Sequence, residues 1–373
     1  MNRREFSVAT GAALAAWFGP SAHAHPSKRW APYANTLALD ALGGAYPSNP
    51  DGSFSERDLA DIRESGLSAV VLTLAPSGAS RFDDAAHQRT LHAIDTWDGH
   101  LRAHPEVFAS IRTGADLDRA HGGRKLGLVY GFQDTSPLGE DLQRIDMFYE
   151  RGVRVIQLTH NKRNLVGDGC MEPGNAGLSQ FGQEAIAALN SKRIVVDLAH
   201  GGRRTIKEAI AASKLPVTIS HTGCAALSDL PRNVPDDILR AMADRGGVAG
   251  IIFWPYLRRD TQPMARDVMR HIEHAIDVCG EDHVGIGTDG NIAPTQLTPE
   301  FERQNLEWVE MATADGVFER GRPRPLYTFI PDLNHARRFE TLAALLSARG
   351  HSDARIAKVL GGNFARAMRE VWG

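Results

Sequence analysis

Short apolar runs alternate along the chain with longer segments in which apolar residues recur at helical spacing. Each run has the length of a strand, is rich in β-branched residues, and is bounded by Gly, Pro or polar residues. Eight such runs follow one another, at 37–40, 69–74, 126–132, 153–158, 194–198, 217–220, 248–253 and 284–287. They predict eight strands, and their nearly continuous apolar character is typical of a parallel sheet.

Helical periodicity fills most of the gaps between these runs. The predicted helices lie at 55–66, 84–108, 138–152, 179–192, 203–214, 235–246 and 265–280. Residues 291–334 are rich in Pro and polar residues, so we expect an extended loop that covers one face of the fold. The tail, 336–350 and 352–372, predicts two amphipathic helices that pack on the outside.

Eight strand-then-helix units favour an α/β fold of the (β/α)8 barrel type, formed by a single domain over residues 25–373 with the C-terminal helices outside. Right-handed crossovers would close such a series on itself. A doubly wound open sheet is the alternative, but no GxGxxG motif follows any of the predicted strands.

The first 24 residues have the pattern of a twin-arginine export signal. Arg3 and Arg4 precede the apolar run SVATGAALAAWF, and Ala22-His23-Ala24 offers a cleavage site after Ala24. A membrane anchor is the alternative, although this apolar run is short for spanning a bilayer. We therefore expect a mature protein in the bacterial periplasm, without a stable membrane anchor.

Composition narrows the range of partners. The net charge is −3 and no long run of like charge occurs, which argues against nucleic-acid binding. Three cysteines are too few for a disulfide scaffold. Cys170 and Cys224 both follow predicted strands and are candidates for one disulfide bond, while three free thiols remain the alternative.

Polar residues with catalytic potential stand where the predicted strands end. In order, they are Asp40, Gln133 with Asp134, His160 with Asn161, His200, His221 and Asp289. Because barrel enzymes build their active sites at the carboxyl ends of the strands, these side chains are expected to meet. Histidines together with an aspartate are typical of a metallohydrolase.

Arg232 lies in the loop after His221. An arginine beside a metal site is suited to bind a substrate carboxylate through two parallel hydrogen bonds. An ordinary salt bridge to Asp229 or Asp236 is the alternative.

An ordered series of motifs resembles the membrane (renal) dipeptidase family of zinc peptidases. The motifs are LTHNKRN, GLSQFGQEAIAALN, VVDLAH, PVTISHT, LSDLPRN, GGVAGIIFWP, DHVGIGTD and IAKVLGGNFARAMREVW, which together extend from about residue 127 to residue 372. The resemblance implies an amidohydrolase-type barrel that hydrolyses dipeptides and often forms a homodimer.

The resemblance also implies roles for individual residues. His200 and His221 match the histidines that hold one zinc ion, and Asp289 matches the aspartate that transfers protons and touches the other zinc. His160 matches the histidine that contacts the substrate carbonyl and its oxyanion. Arg232 matches the arginine that binds the substrate carboxylate.

The metal ligands depart from the family pattern at three positions. The His-x-Asp pair after the first strand is replaced by Leu42 and Gly44, and the bridging glutamate after the third is replaced by Gln133. A neutral amide is a weak zinc ligand. A shift in register is the one way for Asp134 or Asp40 to serve instead.

Three functions are consistent with this inventory. The first is a metallohydrolase with at most one zinc ion, held by His200 and His221 with weak contributions from Gln133 and Asp289, that cleaves dipeptides or related small amides bearing a free carboxylate. The second is a different reaction on a peptide-derived metabolite. The third is a binding protein without catalytic activity, in which His160 and Arg232 still hold a ligand.

Overall fold

The computed structural model describes residues 29–75 and 85–373 of the chain. The predicted export signal lies outside these residues. Within them, no helix combines the length and the apolar character needed to cross a membrane.

Parallel strands form a single sheet, and their order along the sheet follows their order along the chain. The strands are β1 (Leu39–Asp40), β2 (Ala69–Thr73), β3 (Phe108–Ser110), β4 (Leu126–Phe132), β5 (Val153–Gln157), β6 (Val195–Asp197), β7 (Thr218–Thr222), β8 (Val248–Ile251) and β9 (Val284–Ile286). β3 pairs only with the edge of β4, and the other eight strands form the continuous path. These eight are the predicted strands.

The first and last strands meet, so the sheet forms a nearly closed barrel. The backbone N–H of Ala41 donates to the carbonyl of Ile286 at 2.9 Å, and the N–H of Asp289 donates to the carbonyl of Leu42 at 2.8 Å. The predicted (β/α)8 barrel is therefore confirmed. Its closure brings the end of β1 beside the end of β9.

Helices follow most of the strands, and all but the last cover the outside of the sheet. They are α1 (Glu56–Ser65), α2 (Ala85–Ala103), α3 (Gly114–Gly122), α4 (Arg144–Glu150), α5 (Gln180–Ser191), α6 (Arg203–Ala212), α7 (Asp236–Ala243), α8 (Ala265–Cys279), α9 (Pro299–Ala314), α10 (Arg338–Ala348), α11 (Asp353–Ala357) and α12 (Asn363–Trp372). A short π-helical segment, Lys358–Gly362, joins the last two.

Several of the predictions for the segments between and after the strands are wrong. The helix predicted over 138–152 begins only at Arg144, and the helix predicted over 352–372 is divided by the π-helical segment. The helix predicted over 84–108 ends at Ala103, because Pro105 disfavours the helical conformation of His104 before it, and β3 follows. The loop predicted over 291–334 contains the sixteen-residue helix α9, which begins with Thr298 as its N-cap and Pro299 at its first position.

The last helix closes one end of the barrel instead of packing on its outer surface. Strand side chains Leu39, Val71 and Val129 form one apolar cluster with Phe364 and Met368 of α12. The indole N–H of Trp372 lies 3.4 Å from the carbonyl of Arg154, near the start of β5. The amino ends of the strands are thus filled by α12, and the carboxyl ends remain available for a site.

Candidate metal centre

His200 and His221 lie at the carboxyl ends of β6 and β7, as their sequence positions predict. β7 contains a register shift against β8 between Ile219 and Thr222, so that it carries one more residue than its partner there. Such a bulge re-aims side chains. It allows the adjacent residues Ser220 and His221 both to contact groups in the barrel interior.

Two glycines leave room for this bulged strand. A Cβ atom at Gly250 or at Gly287 would overlap the carbonyl oxygen of Ser220, and one at Gly287 would also lie 3.1 Å from the Cβ of His221. The neighbouring strands β8 and β9 therefore need glycine at these positions. His221 can occupy its position only because Gly250 and Gly287 have no side chain.

Each histidine is oriented through its Nδ1 atom. His200 Nδ1 lies 2.7 Å from Asn161 Oδ1, which as an amide oxygen can only accept. His221 Nδ1 lies 2.7 Å from Ser220 Oγ, whose own hydrogen bond goes to Asp197 at 2.5 Å. Both Nδ1 atoms therefore carry the ring hydrogen.

The two Nε2 atoms consequently carry no hydrogen, and each directs its lone pair at the other. They lie 3.0 Å apart, and His221 Nε2 is 3.9 Å from a carboxylate oxygen of Asp289. Neither Nε2 can donate to the other while both rings are neutral in these tautomers, so a bound cation, either a proton or a metal ion, would stabilise the pair. Zinc–ligand bonds of about 2.0–2.2 Å place coordinated atoms at separations of this size. His200, His221 and Asp289 thus fit one metal ion, their ligand atoms all lying within 4.8 Å of one another.

Two of these three residues have left-handed backbone conformations. His200 has φ +61° and Asp289 has φ +52°. Such a conformation costs roughly 1–2 kcal/mol for a residue other than glycine. The chain therefore accepts local strain at the two positions where strands β6 and β9 turn toward the site.

Charged neighbours surround the carboxyl group of Asp289. Burial raises its pKa to about 7, the positive charge of Arg232 and a hydrogen bond from the Gln133 side chain oppose this rise, and the carboxylate of Asp40 adds to it. Gln133 thus serves Asp289 as a hydrogen-bond donor. Burial also holds the pKa of His221 well below its usual value, and Arg232 and His160 act in the same direction.

The three candidate ligands, His200, His221 and Asp289, are here named the metal group. Arg232 is buried beside this group, with 4% of its surface exposed. One terminal nitrogen donates to the carbonyl of His221 at 2.8 Å, while its Nε has no hydrogen-bond partner among the described residues. The alternative salt bridges do not form, because Asp229 pairs with Arg203 and Asp236 pairs with His274. A buried guanidinium with an unused donor is suited to bind an anionic ligand.

His160 lies against the metal group from the β5 side. Its ring stacks on that of His200 with 4.1 Å between centroids and 22° between planes. Asp134, buried after β4, accepts the backbone N–H of His160 at 3.1 Å and that of Ser136 at 2.8 Å. Asp134 thus holds this loop in place and is not part of the His-His-Asp group.

The side chains after β1 do not form a second metal site. Leu42 is buried, and a side chain at Gly44 would overlap the aromatic ring of Tyr46. Asp40 accepts hydrogen bonds from the N–H and hydroxyl of Thr288 at 2.8 and 2.5 Å. It supports the backbone just before Asp289 and, like Asp134, lies outside the ligand group.

All three cysteines are free thiols, so the candidate disulfide between Cys170 and Cys224 does not form. Cys224 is buried against His271, where its backbone N–H donates to Nδ1 at 2.9 Å. Cys170 lies near the metal group, its backbone N–H donating to the carbonyl of His200 at 2.7 Å.

Sequence reasoning assigned no role to several residues that complete the site. Asn161 follows a predicted strand, and Asp197 and Ser220 lie within predicted strands. A signal for Asp197 and Ser220 existed, since a polar residue inside an apolar strand run usually has a buried hydrogen-bond partner. Tyr46 carried no comparable signal, because its position depends on the absent side chain of Gly44.

Comparison with known proteins places this geometry in a family. The chain is 29% identical over 287 residues to the dipeptidase verJ of Clonostachys rogersoniana, and 26% identical over 304 residues to the dipeptidase tcpJ of Claviceps purpurea. These alignments cover 76% and 79% of this chain but only 65% and 64% of the relatives' own lengths.

A solved structure supports the same grouping. The crystal structure of an amidohydrolase from Pseudomonas aeruginosa superimposes with a TM-score of 0.76 at 30% identity, covering 91% of this chain and 98% of that chain. The sequence profile described as membrane dipeptidase (peptidase family M19) matches residues 43–299. The chain therefore belongs to the membrane dipeptidase family, peptidase family M19, as its motifs predicted.

Proposed function

We propose that the protein hydrolyses dipeptides or related small amides with a free carboxylate, using one zinc ion bound by His200, His221 and Asp289, after export to the bacterial periplasm. The observation that carries this proposal is that the Nε2 atoms of His200 and His221 face each other at a distance of 3.0 Å. Asn161 and Ser220 fix the tautomers of the two rings. Membership of the family favours the same activity.

When bound, the metal ion supplies positive charge that polarises the peptide carbonyl and favours ionisation of water. Arg232 binds the substrate carboxylate and so fixes the position of the peptide bond. His160 donates a hydrogen bond to the carbonyl oxygen as negative charge develops there. Asp289 takes a proton from the attacking water and delivers it to the leaving amine.

A single ion is consistent with the side chains after β1. The His-x-Asp ligand pair of the family is replaced by Leu42 and Gly44, and the ring of Tyr46 fills the space beside Gly44. Gln133 hydrogen-bonds to Asp289 and brings no negative charge to a second ion. The proposed site therefore uses the ligands of β6, β7 and β9 only.

Removal of zinc is expected to abolish hydrolysis of a dipeptide panel, and added Zn²⁺ is expected to restore it at one ion per chain.

Dipeptide amides, which lack the carboxylate, should lose at least about a hundredfold in kcat/KM, because buried Arg232 would be left unpaired. Arg232→Met should remove this discrimination, while Lys207→Met, which breaks only the surface ion pair with Asp237, serves as the control. Turnover insensitive to chelation would contradict the proposal.

Asn161→Ala is expected to weaken zinc binding by about tenfold to a hundredfold, because His200 Nδ1 would lose the acceptor that fixes its tautomer. Competition with a chromogenic chelator measures the change. Asn49→Ala, which removes an amide hydrogen bond in a surface turn, is the control. Equal affinities for both variants would show that Asn161 does not orient a ligand.

Restoring the family ligands with Leu42→His, Gly44→Asp and Gln133→Glu is expected to leave zinc at one ion per chain, because Tyr46 still fills the space. Adding Tyr46→Ala to these three should raise the content toward two, as measured by atomic absorption. Tyr46→Ala alone is the control and should hold one. Two ions in the triple variant, or one in the quadruple variant, would show that Tyr46 does not block the site.

Fractionation of bacterial cells is expected to place the mature protein, beginning after Ala24, in the periplasm. Replacing Arg3 and Arg4 by lysine should retain the uncleaved chain in the cytoplasm, because the twin-arginine pair is the recognition element of this export route. Mass spectrometry of the amino terminus measures cleavage. An intact amino terminus on wild-type protein in the cytoplasm would refute export.

A further inference from the structure

Four aromatic side chains from three separate segments form one contiguous cluster, here named the aromatic wall: Trp254, Tyr256, Trp308 and Phe318. Trp254 and Tyr256 are nearly parallel, with 5.9 Å between centroids and 6° between planes. Trp308 meets Trp254 edge-on at 5.9 Å, and Phe318 contacts both Tyr256 and Trp308 at 5.7 Å. Edge-on and offset contacts of this kind stabilise a rigid arrangement.

The aromatic wall contacts the site at two residues, Asp289 and Arg232. The indole N–H of Trp254 donates to the backbone carbonyl of Asp289 at 2.8 Å. The guanidinium carbon of Arg232 lies 5.9 Å from the ring centroid of Tyr256. The wall therefore adjoins both the residue that handles protons and the residue that holds the substrate carboxylate.

Part of the aromatic wall faces solvent. Tyr256 and Phe318 are buried and anchor it, Trp254 is half-buried, and Trp308 is 37% exposed. An exposed indole that is held by ring contacts presents apolar surface to water, which is unfavourable until a ligand covers it.

A second exposed aromatic side chain is linked to the loop that carries Asp289. Tyr46 is 43% exposed, and its backbone N–H donates at 3.0 Å to Asn291, two residues after Asp289. This loop therefore contacts both Tyr46, through Asn291, and Trp254, through the carbonyl of Asp289. This arrangement suits a ligand that is polar at its backbone and apolar at a side chain.

We infer that the aromatic wall is a side-chain pocket, and that the preferred substrates carry a large apolar or aromatic side chain on their carboxy-terminal residue. This inference rests on the proposed function, in which Arg232 holds the substrate carboxylate. The carbon that bears the carboxylate also bears the carboxy-terminal side chain. That side chain is consequently the one within reach of Trp254 and Trp308.

Steady-state kinetics with Gly-Phe and Gly-Ala test the inference on the zinc-loaded protein. Wild type should prefer Gly-Phe by about tenfold to a hundredfold in kcat/KM, the range expected when several buried methylene equivalents are gained. Trp308→Ala should reduce this ratio at least about fivefold, mainly through the KM of Gly-Phe. Leu306→Ala is the matched control, since Leu306 is exposed on the same helix and lines a separate surface groove with Leu326.

Equal kcat/KM values for Gly-Phe and Gly-Ala on wild type would overturn the inference, as would equal effects of Trp308→Ala and Leu306→Ala. The pair Phe-Gly and Ala-Gly examines the other end of the substrate. A larger preference within this pair than within the first would overturn the assignment to the carboxy-terminal residue.

A binding measurement separates this inference from the proposed function. If no dipeptide is hydrolysed, the proposed activity is wrong, but calorimetry with N-acetyl-phenylalanine and N-acetyl-alanine still tests the wall. Wild type should bind the phenylalanine compound about tenfold more tightly, and Trp308→Ala should abolish the difference. Equal affinities on wild type would refute the pocket independently of catalysis.

Discussion

The structure of the site depends on the contact between two imidazole rings whose Nε2 atoms face each other. Asn161 and Ser220 each fix one ring through Nδ1, and this leaves both lone pairs directed at the same point. Fixing the far nitrogen of a histidine is the usual way for a protein to orient a metal ligand. Two lone pairs directed at one point favour a bound cation, so the orientation of the two rings preorganises the site for one.

Much of the backbone is shaped to permit this contact. The bulge in β7 turns His221 inward, Gly250 and Gly287 provide the space for it, and His200 accepts a left-handed conformation at the end of β6. α12 fills the opposite end of the barrel with apolar side chains. The polar groups are thereby concentrated at one end, where burial strengthens their electrostatic interactions.

The sequence predicts the eight barrel strands because each is an apolar run of strand length, and strand-end position alone brings His160, His200, His221 and Asp289 together. β3 was missed because three residues give too short a pattern. α9 was missed because its proline-rich surroundings outweighed the Thr298-Pro299 start signal. The start of α9 is thus a local signal that the sequence does contain, whereas β3 has none.

Other features have no local signal at all. The bulge in β7 depends on glycines in two neighbouring strands, and the position of Tyr46 depends on Gly44, two residues earlier. The unused donor of Arg232 appears only when Asp229 and Asp236 are seen to have other partners. Such relations arise from packing in three dimensions, so residue types and spacing cannot supply them.

The two halves of the barrel mouth differ in character, one being polar and the other apolar. The β6–β7 half keeps the histidines with their polar supports, whereas the β1 side presents Leu42, Gly44 and the ring of Tyr46, which also packs edge-on against Trp97 at 6.4 Å. The loop that carries Asp289 links the halves, because Asn291 binds the backbone of Tyr46 and the carbonyl of Asp289 binds Trp254. The absence of a metal ligand at residue 44 and the presence of the Tyr46 ring are therefore coupled, since the glycine that cannot bind a metal is the residue that admits the ring.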